Sequence, residues 1–74
     1  MAVIDIPTEI TGNVWKIVVS VGDRVEEDEP IMILESMKME IPVSAPEAGI
    51  VKEILTEPEA VVTEGTVVAR LETD

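Results

Sequence analysis

Displaced by 37 positions, the chain matches itself, and this internal repeat limits its possible folds more than any other feature. Gly12 falls on Gly49, Val14 on Val51, Ile17 on Ile54 and Val25 on Val62; Glu27 falls on Glu64, Leu34 on Leu71 and Glu35 on Glu72. These seven identities lie within the 24 positions 12–35, with Val18/Leu55 and Ile31/Val68 as further apolar matches. Unrelated segments of this composition would share about two. A total of 74 residues leaves room for one compact domain, spanning 1–74. Two interlocking units related by a pseudo-twofold axis would share its single core and leave few free sheet edges.

Each copy reads as β-structure. Val occurs twelve times and Ile nine times, while Trp15 is the only aromatic residue. β-branched side chains suit a pleated, half-buried strand and lose χ1 freedom in a helix. The first copy runs Gly12, a strand over Val14–Val21, a turn at Val21-Gly22-Asp23 closed by Val25, a polar connection Glu26–Pro30, and a strand over Ile31–Leu34. In the second copy Ile50–Thr56 and Thr66–Leu71 are the equivalents. The alternation is imperfect in Ile31-Met32-Ile33-Leu34, as expected where both faces are partly covered. No amphipathic stretch of helical length is capped at both ends, so the expectation is all-β.

The joint between the copies holds the residue of chemical interest. Lys38 has 37 residues before it and 36 after it. Both flanks are strand-like. Ile41, Val43 and Ala45 alternate with Pro42 and Ser44, giving one buried and one open face, and Pro42 places that strand at an edge or beside a turn. Ser36–Met39 is then a hairpin tip, although it lacks the Gly or Asn of the usual tight turns. Of the three lysines, Lys16 and Lys52 lie inside predicted strands, where a solvated outward face accounts for them. Lys38 stands between Met37 and Met39, and two readings apply to these methionines. Either they fold back onto the end of the barrel as gap-fillers, or they are exposed as adaptable contacts for a partner.

Composition excludes several function classes. The chain has no Cys and no His, so disulfides and soft-metal sites are ruled out. No nucleophile–base pair is visible among its Ser and carboxylates, and no catalytic residue is assigned. Sixteen acidic residues against five basic ones give a net charge of −11. That charge keeps a small aliphatic-rich domain soluble and monomeric, and it would steer basic partner surfaces toward it. Nucleic acid is not an expected partner, because phosphate binding needs clustered Lys and Arg. No segment approaches the roughly 20 apolar residues of a membrane span. Met1-Ala2-Val3-Ile4-Asp5 has no basic region ahead of an apolar stretch, so a cytoplasmic location is the default expectation.

The hexapeptide Glu35-Ser36-Met37-Lys38-Met39-Glu40 resembles the attachment sequence of the biotinyl domain family, the biotin carboxyl carrier proteins and carrier domains of biotin-dependent carboxylases. Glu35, Met37, Lys38 and Met39 match the motif residue by residue, and Ser36 replaces the commoner Ala. Gly12, Gly22-Asp23 and Ala45-Pro46 with Gly49 match the family's turns, and the likeness runs from about Ile10 to Leu71. It implies a flattened β-barrel, or barrel-sandwich hybrid, of two quasi-symmetric four-stranded halves with the lysine on a hairpin tip. It further implies that biotin protein ligase joins biotin to Lys38 Nζ as an amide. Lys38 would then carry a carboxyl group from a biotin carboxylase to a carboxyltransferase acting on an acyl-CoA or 2-oxo acid. The cofactor-site residues so implied are Lys38, Met37, Met39, Ser36 and Glu35. Glu35 and Glu40 either pair with basic groups of a partner or solvate the hairpin base. Three departures stand out. Glu59-Ala60 replaces the Gly-Asp of the first-copy turn, so another backbone conformation is expected there. Asp28 stands where the second copy has Gly65, and can tolerate a left-handed conformation. No insertion resembles the protruding thumb of some bacterial carriers.

Two rival functions share the fold. Lipoyl domains place a lysine at the same tip but usually read Asp-Lys-Ala, against which Met37 and Met39 argue. An unmodified β-barrel acting as a binding module would take no adduct on Lys38 at all.

Overall fold

The computed structural model describes residues 2–73. Its strands are β1 (Ala2–Pro7), β2 (Gly12–Ile17), β3 (Arg24–Val25), β4 (Pro30–Ser36), β5 (Met39–Ser44), β6 (Gly49–Ile54), β7 (Val61–Val62) and β8 (Val67–Thr73). No helix occurs among the described residues. Adding 37 to both bounds of β1, β2, β3 and β4 gives the bounds of β5, β6, β7 and β8. The repeat is therefore structural to the residue. The strand over Val14–Val21 proves shorter than its apolar run, ending at Ile17. Beyond it, Val18 N donates to Ile31 O at 3.0 Å outside regular strand pairing. Likewise Ile50–Thr56 contracts to β6, and Thr66–Leu71 becomes β8.

The two copies interlock. One sheet has the order β1-β8-β6-β3 and the other β5-β4-β2-β7, every neighbouring pair being antiparallel. Each sheet draws two strands from each copy, so neither copy can complete a sheet alone. The pair of facing open sheets forms a flattened sandwich rather than a closed barrel. Register irregularities repeat as well. The pairing shifts between Val14 and Lys16 in β2 and between Val51 and Glu53 in β6, which makes Trp15 and Lys52 equivalent bulge residues.

Burial follows the same dyad. Val14/Val51, Val25/Val62, Ile31/Val68, Leu34/Leu71 and Ile6/Val43 are equivalent pairs, and all are buried in one cluster. Met32 and Ala69 complete the pattern with unequal volumes. Each fully buried Val or Leu contributes about 1.5–3 kcal/mol by leaving water. A bulge between Pro30 and Met32 lets consecutive Ile31 and Met32 both reach the core, which explains their broken alternation. Thr8, buried at the position equivalent to Ala45, spends its hydroxyl locally. It donates to Ile10 O at 2.9 Å and accepts from Ile10 N at 3.2 Å. On the solvent face Arg70 of β8 links both neighbouring strands, reaching Asp5 of β1 at 3.0 Å and Glu53 of β6 at 3.3 Å. Hydrogen bonds to Asp5 and then Glu53 raise the Arg70 pKa above its ordinary value. A raised cation contributes stability below its unfolded pKa and loses it only as pH climbs through the folded one. That window lies far into the alkaline range, so this link adds no pH dependence near neutrality.

One expected difference between the copies is absent. Glu59 takes φ +72°, the left-handed conformation of its counterpart Gly22 at φ +96°, so the second turn keeps the geometry of the first. The cause is long-range. Glu59 N donates to Val14 O at 2.7 Å, as Gly22 N donates to Val51 O at 2.8 Å, and these bonds tie each turn to the other copy. The second turn pair behaves as read from sequence. Asp28 at φ +69° mirrors Gly65 at φ +89°, with Asp28 N on Ala45 O and Gly65 N on Thr8 O, both at 2.8 Å.

Two stability outcomes are expected in urea unfolding. A left-handed glutamate costs about 1–2 kcal/mol, partly offset by the greater unfolded-state freedom of glycine. Glu59→Gly should therefore stabilise by about 0.5–1 kcal/mol; a loss would mean that the Glu59 side chain makes a stabilising contact. Gly12→Ala should destabilise by about 1–3 kcal/mol, because its Cβ would lie 2.6 Å from the Glu35 carbonyl oxygen, a backbone atom that cannot swing aside.

Candidate functional site

The hairpin β4–β5 closes in the shortest possible way. Ser36 pairs with Met39, leaving Met37 and Lys38 as a two-residue connection. Both residues have positive φ, +52° and +66°. Two consecutive left-handed residues define the mirror-image turn that suits strand twist, normally built from Asn-Gly. A non-glycine residue there costs about 1–2 kcal/mol. Substituting Asn-Gly would relieve that strain and would also delete both the lysine and its neighbouring thioether. The tip thus holds Met37-Lys38 against local conformational preference.

The three lysines differ in what their amines meet. Lys16 Nζ lies over the Trp15 ring, 5.0 Å from its centroid. Lys52 Nζ lies 3.6 Å from Glu72 Oε2. Lys38 is exposed and has neither an ion pair nor a ring contact among the described residues. A reaction at Nζ that removes its charge would therefore break no existing interaction at Lys38 alone.

The flanking residues are placed as follows. Met37 is 91% exposed and Met39 62% exposed, against 0% for Met32, so the first two do not fold back onto the core. Ser36 is half-buried, with its Cβ 3.3 Å from where a Gly12 side chain would begin. Glu35 and Glu40 face each other across the hairpin, both exposed. Like charges directly opposite are mildly unfavourable. The equivalent residue Glu72 has Lys52 as its cation, but at the tip the position of Lys52 is taken by Trp15. Four further neighbours escape the sequence motif: Asn13 pairs with Glu35, and Asn13, Val14, Trp15 and Glu59 line one shallow hollow of about 470 Å³ with Glu35. Two signals point to Trp15, its being the only aromatic residue and the exchange at 15/52 in the repeat. Among the described residues no cluster of His, Cys, Asp or Glu is arranged to hold a metal ion.

This arrangement has known relatives. The biotin/lipoyl family model, described as "Biotin-requiring enzyme", matches residues 2–71. The chain belongs to that family. Over 63 residues it is 46% identical to a protein of Bacillus subtilis named biotin/lipoyl attachment protein, covering 85% of this chain and 86% of the relative. It is 48% identical over 48 residues to the biotin carboxyl carrier protein of Streptococcus mutans, covering 65% of this chain and 37% of the carrier. The biotin/lipoyl chain also superimposes on part of the Kluyveromyces lactis urea carboxylase with TM-score 0.92 and 36% identity. That match covers 97% of this chain and 6% of the carboxylase.

Truncation separates exposed from packed methionines. Met37→Ala and Met39→Ala should each change unfolding free energy by no more than roughly 0.5 kcal/mol. Met32→Ala should cost about 2–5 kcal/mol. A large loss at Met37 or Met39 in chemical denaturation would show that the tip packs in solution.

Proposed function

We propose that Lys38 is the point of covalent biotin attachment, and that this chain carries a carboxyl group between a biotin carboxylase and a carboxyltransferase. The observation that carries this reading is the free, exposed Lys38 amine on a two-residue turn whose strain is kept although simpler residues would remove it. Biotin fits the residues present. Lys38 Nζ supplies the amine for an amide bond, and nothing in the fold must move for a ligase to reach it. When bound, the cofactor supplies a ureido nitrogen that can accept and release a carboxyl group.

The protein's own part is mechanical. The hairpin fixes the base of a long arm, and a tether of matched reach raises the effective concentration of its end at two successive active sites. Half-buried Ser36 leaves room beside the lysine. Met37 and Met39 present polarizable surface that adapts to unlike partners, biotin protein ligase first and then the two catalytic components. Glu35 and Glu40, with no cation among the described residues, offer charge to basic groups on those partners. The catalytic groups are supplied by the partners, as the relatives named carrier and attachment proteins suggest.

A second reading, lipoate on the same lysine, is favoured by one observation: the Bacillus subtilis relative bears both cofactors in its name. Intact mass spectrometry after incubation with ATP and either biotin with its ligase or lipoate with its ligase separates the two. The expected result is one biotinyl adduct, absent in Lys38→Arg with the β-sheet circular dichroism retained. A lipoyl adduct alone, or biotin retained in Lys38→Arg, would overturn the proposal.

A further inference from the structure

We infer that the hollow beside Trp15 is a resting site for the bicyclic ureido ring of the arm borne by Lys38, an inference that rests on the reading of Lys38 as the biotinylated residue. Trp15, the only aromatic residue, is 47% exposed where the equivalent bulge position in the second copy carries Lys52. Lys16 Nζ lies over one face of its ring. The rest of the side chain lines the hollow with Asn13, Glu35 and Glu59.

Position and chemistry both suit the arm. Glu35 lies on β4 one residue below the Ser36–Met39 pair that closes the turn. Lys38 at the tip is therefore roughly two residues, about 7 Å, away along the hairpin, and Asn13 and Trp15 are on the next strand, roughly 5 Å across. A lysine side chain extended by a valeryl amide contributes about ten bonds, or roughly 13 Å of reach, before the ring begins. The ring has an apolar face for the indole to cover. Its ureido group has N–H donors for Glu35 or Glu59 and a carbonyl that can accept from the Asn13 carboxamide. A ring that has gained a carboxylate would meet like charge from Glu35 and Glu59. The hollow therefore discriminates in favour of the unloaded arm and lets the loaded one go.

The test uses the whole chain in apo form and after complete biotinylation, with the adduct confirmed by intact mass. A short tether gives an effective concentration in the millimolar range, so even a millimolar site is about half filled. Acrylamide quenching of Trp15 fluorescence should accordingly fall by roughly half in the biotinylated chain. Nuclear Overhauser contacts should appear between the indole and the bicycle, and quenching should return toward the apo value in fully labelled Asn13→Ala. Equal quenching of apo and fully biotinylated chains, with no such contacts, would overturn the resting site and leave biotin attachment standing. Failure to form the adduct on Lys38 would overturn both.

Discussion

The structure depends on backbone hydrogen bonds that cross between the two copies of a 37-residue repeat. Gly22 N reaches Val51 O, Glu59 N reaches Val14 O, Asp28 N reaches Ala45 O and Gly65 N reaches Thr8 O. Each turn of one copy is thereby held by the other. Buried backbone groups must be paired, so these positions tolerate little freedom in the turn. That is why Glu59 is bent into a conformation which costs a glutamate free energy. The interlock also explains how so short a chain builds a core from aliphatic side chains and Met32 without a disulfide. Every strand finds a partner from the other copy, and both sets of inward valines and leucines pool in one cluster.

Much of this was legible in the sequence. The β-branched composition indicated strands, and Gly12/Gly49, Val14/Val51 and Leu34/Leu71 marked the dyad. The missing N–H of Pro42 pointed to an edge or a place beside a turn, and β5 is an edge strand. Less legible was anything set by distant contacts. Val18 looks like strand by its apolar character, but strand pairing ends at Ile17 and Val18 bonds outside it. Glu59 looks unsuited to a left-handed turn, and only the partner oxygen of Val14 shows why it adopts one. The hairpin tip was legible as a tip; its turn type was not, because Met37-Lys38 carries none of the residues that usually report positive φ.

The candidate site is best understood as the place where the symmetry fails. Apart from Met32/Ala69 the core pairs are conservative from one copy to the other, and the turns match even against residue preference. The exchange at the two bulges is of another kind. Lys52 sits beside Glu72 and neutralises it, whereas Trp15 leaves Glu35 without that cation among the described residues. The strand opposite Glu35 adds Glu40 across the hairpin, and the turn after β6 adds Glu59 to the hollow that Glu35 lines. The end that bears Lys38 consequently sets carboxylates without a cation among the described residues beside exposed Met37, Met39 and Trp15.

A fold alone needs no such asymmetry. Stability would be served by repeating the Lys–Glu pair at both ends, by burying the methionines, and by closing the hairpin with Asn-Gly. The first is declined at the end that bears Lys38, and the other two are declined at that hairpin, the one place where they arise. Exposed thioethers contribute nothing to the core, and an unpaired carboxylate beside another raises the electrostatic energy of the hairpin base. Strained turns persist where the surrounding structure over-determines them. Here β4 and β5 supply that support, with Leu34 fully buried directly below the tip and paired with Ile41. A rigid, well-packed hairpin can hold an unfavourable tip in one conformation. A lysine so held is presented in one fixed place, which the proposed role as a tethered carrier would require of its scaffold.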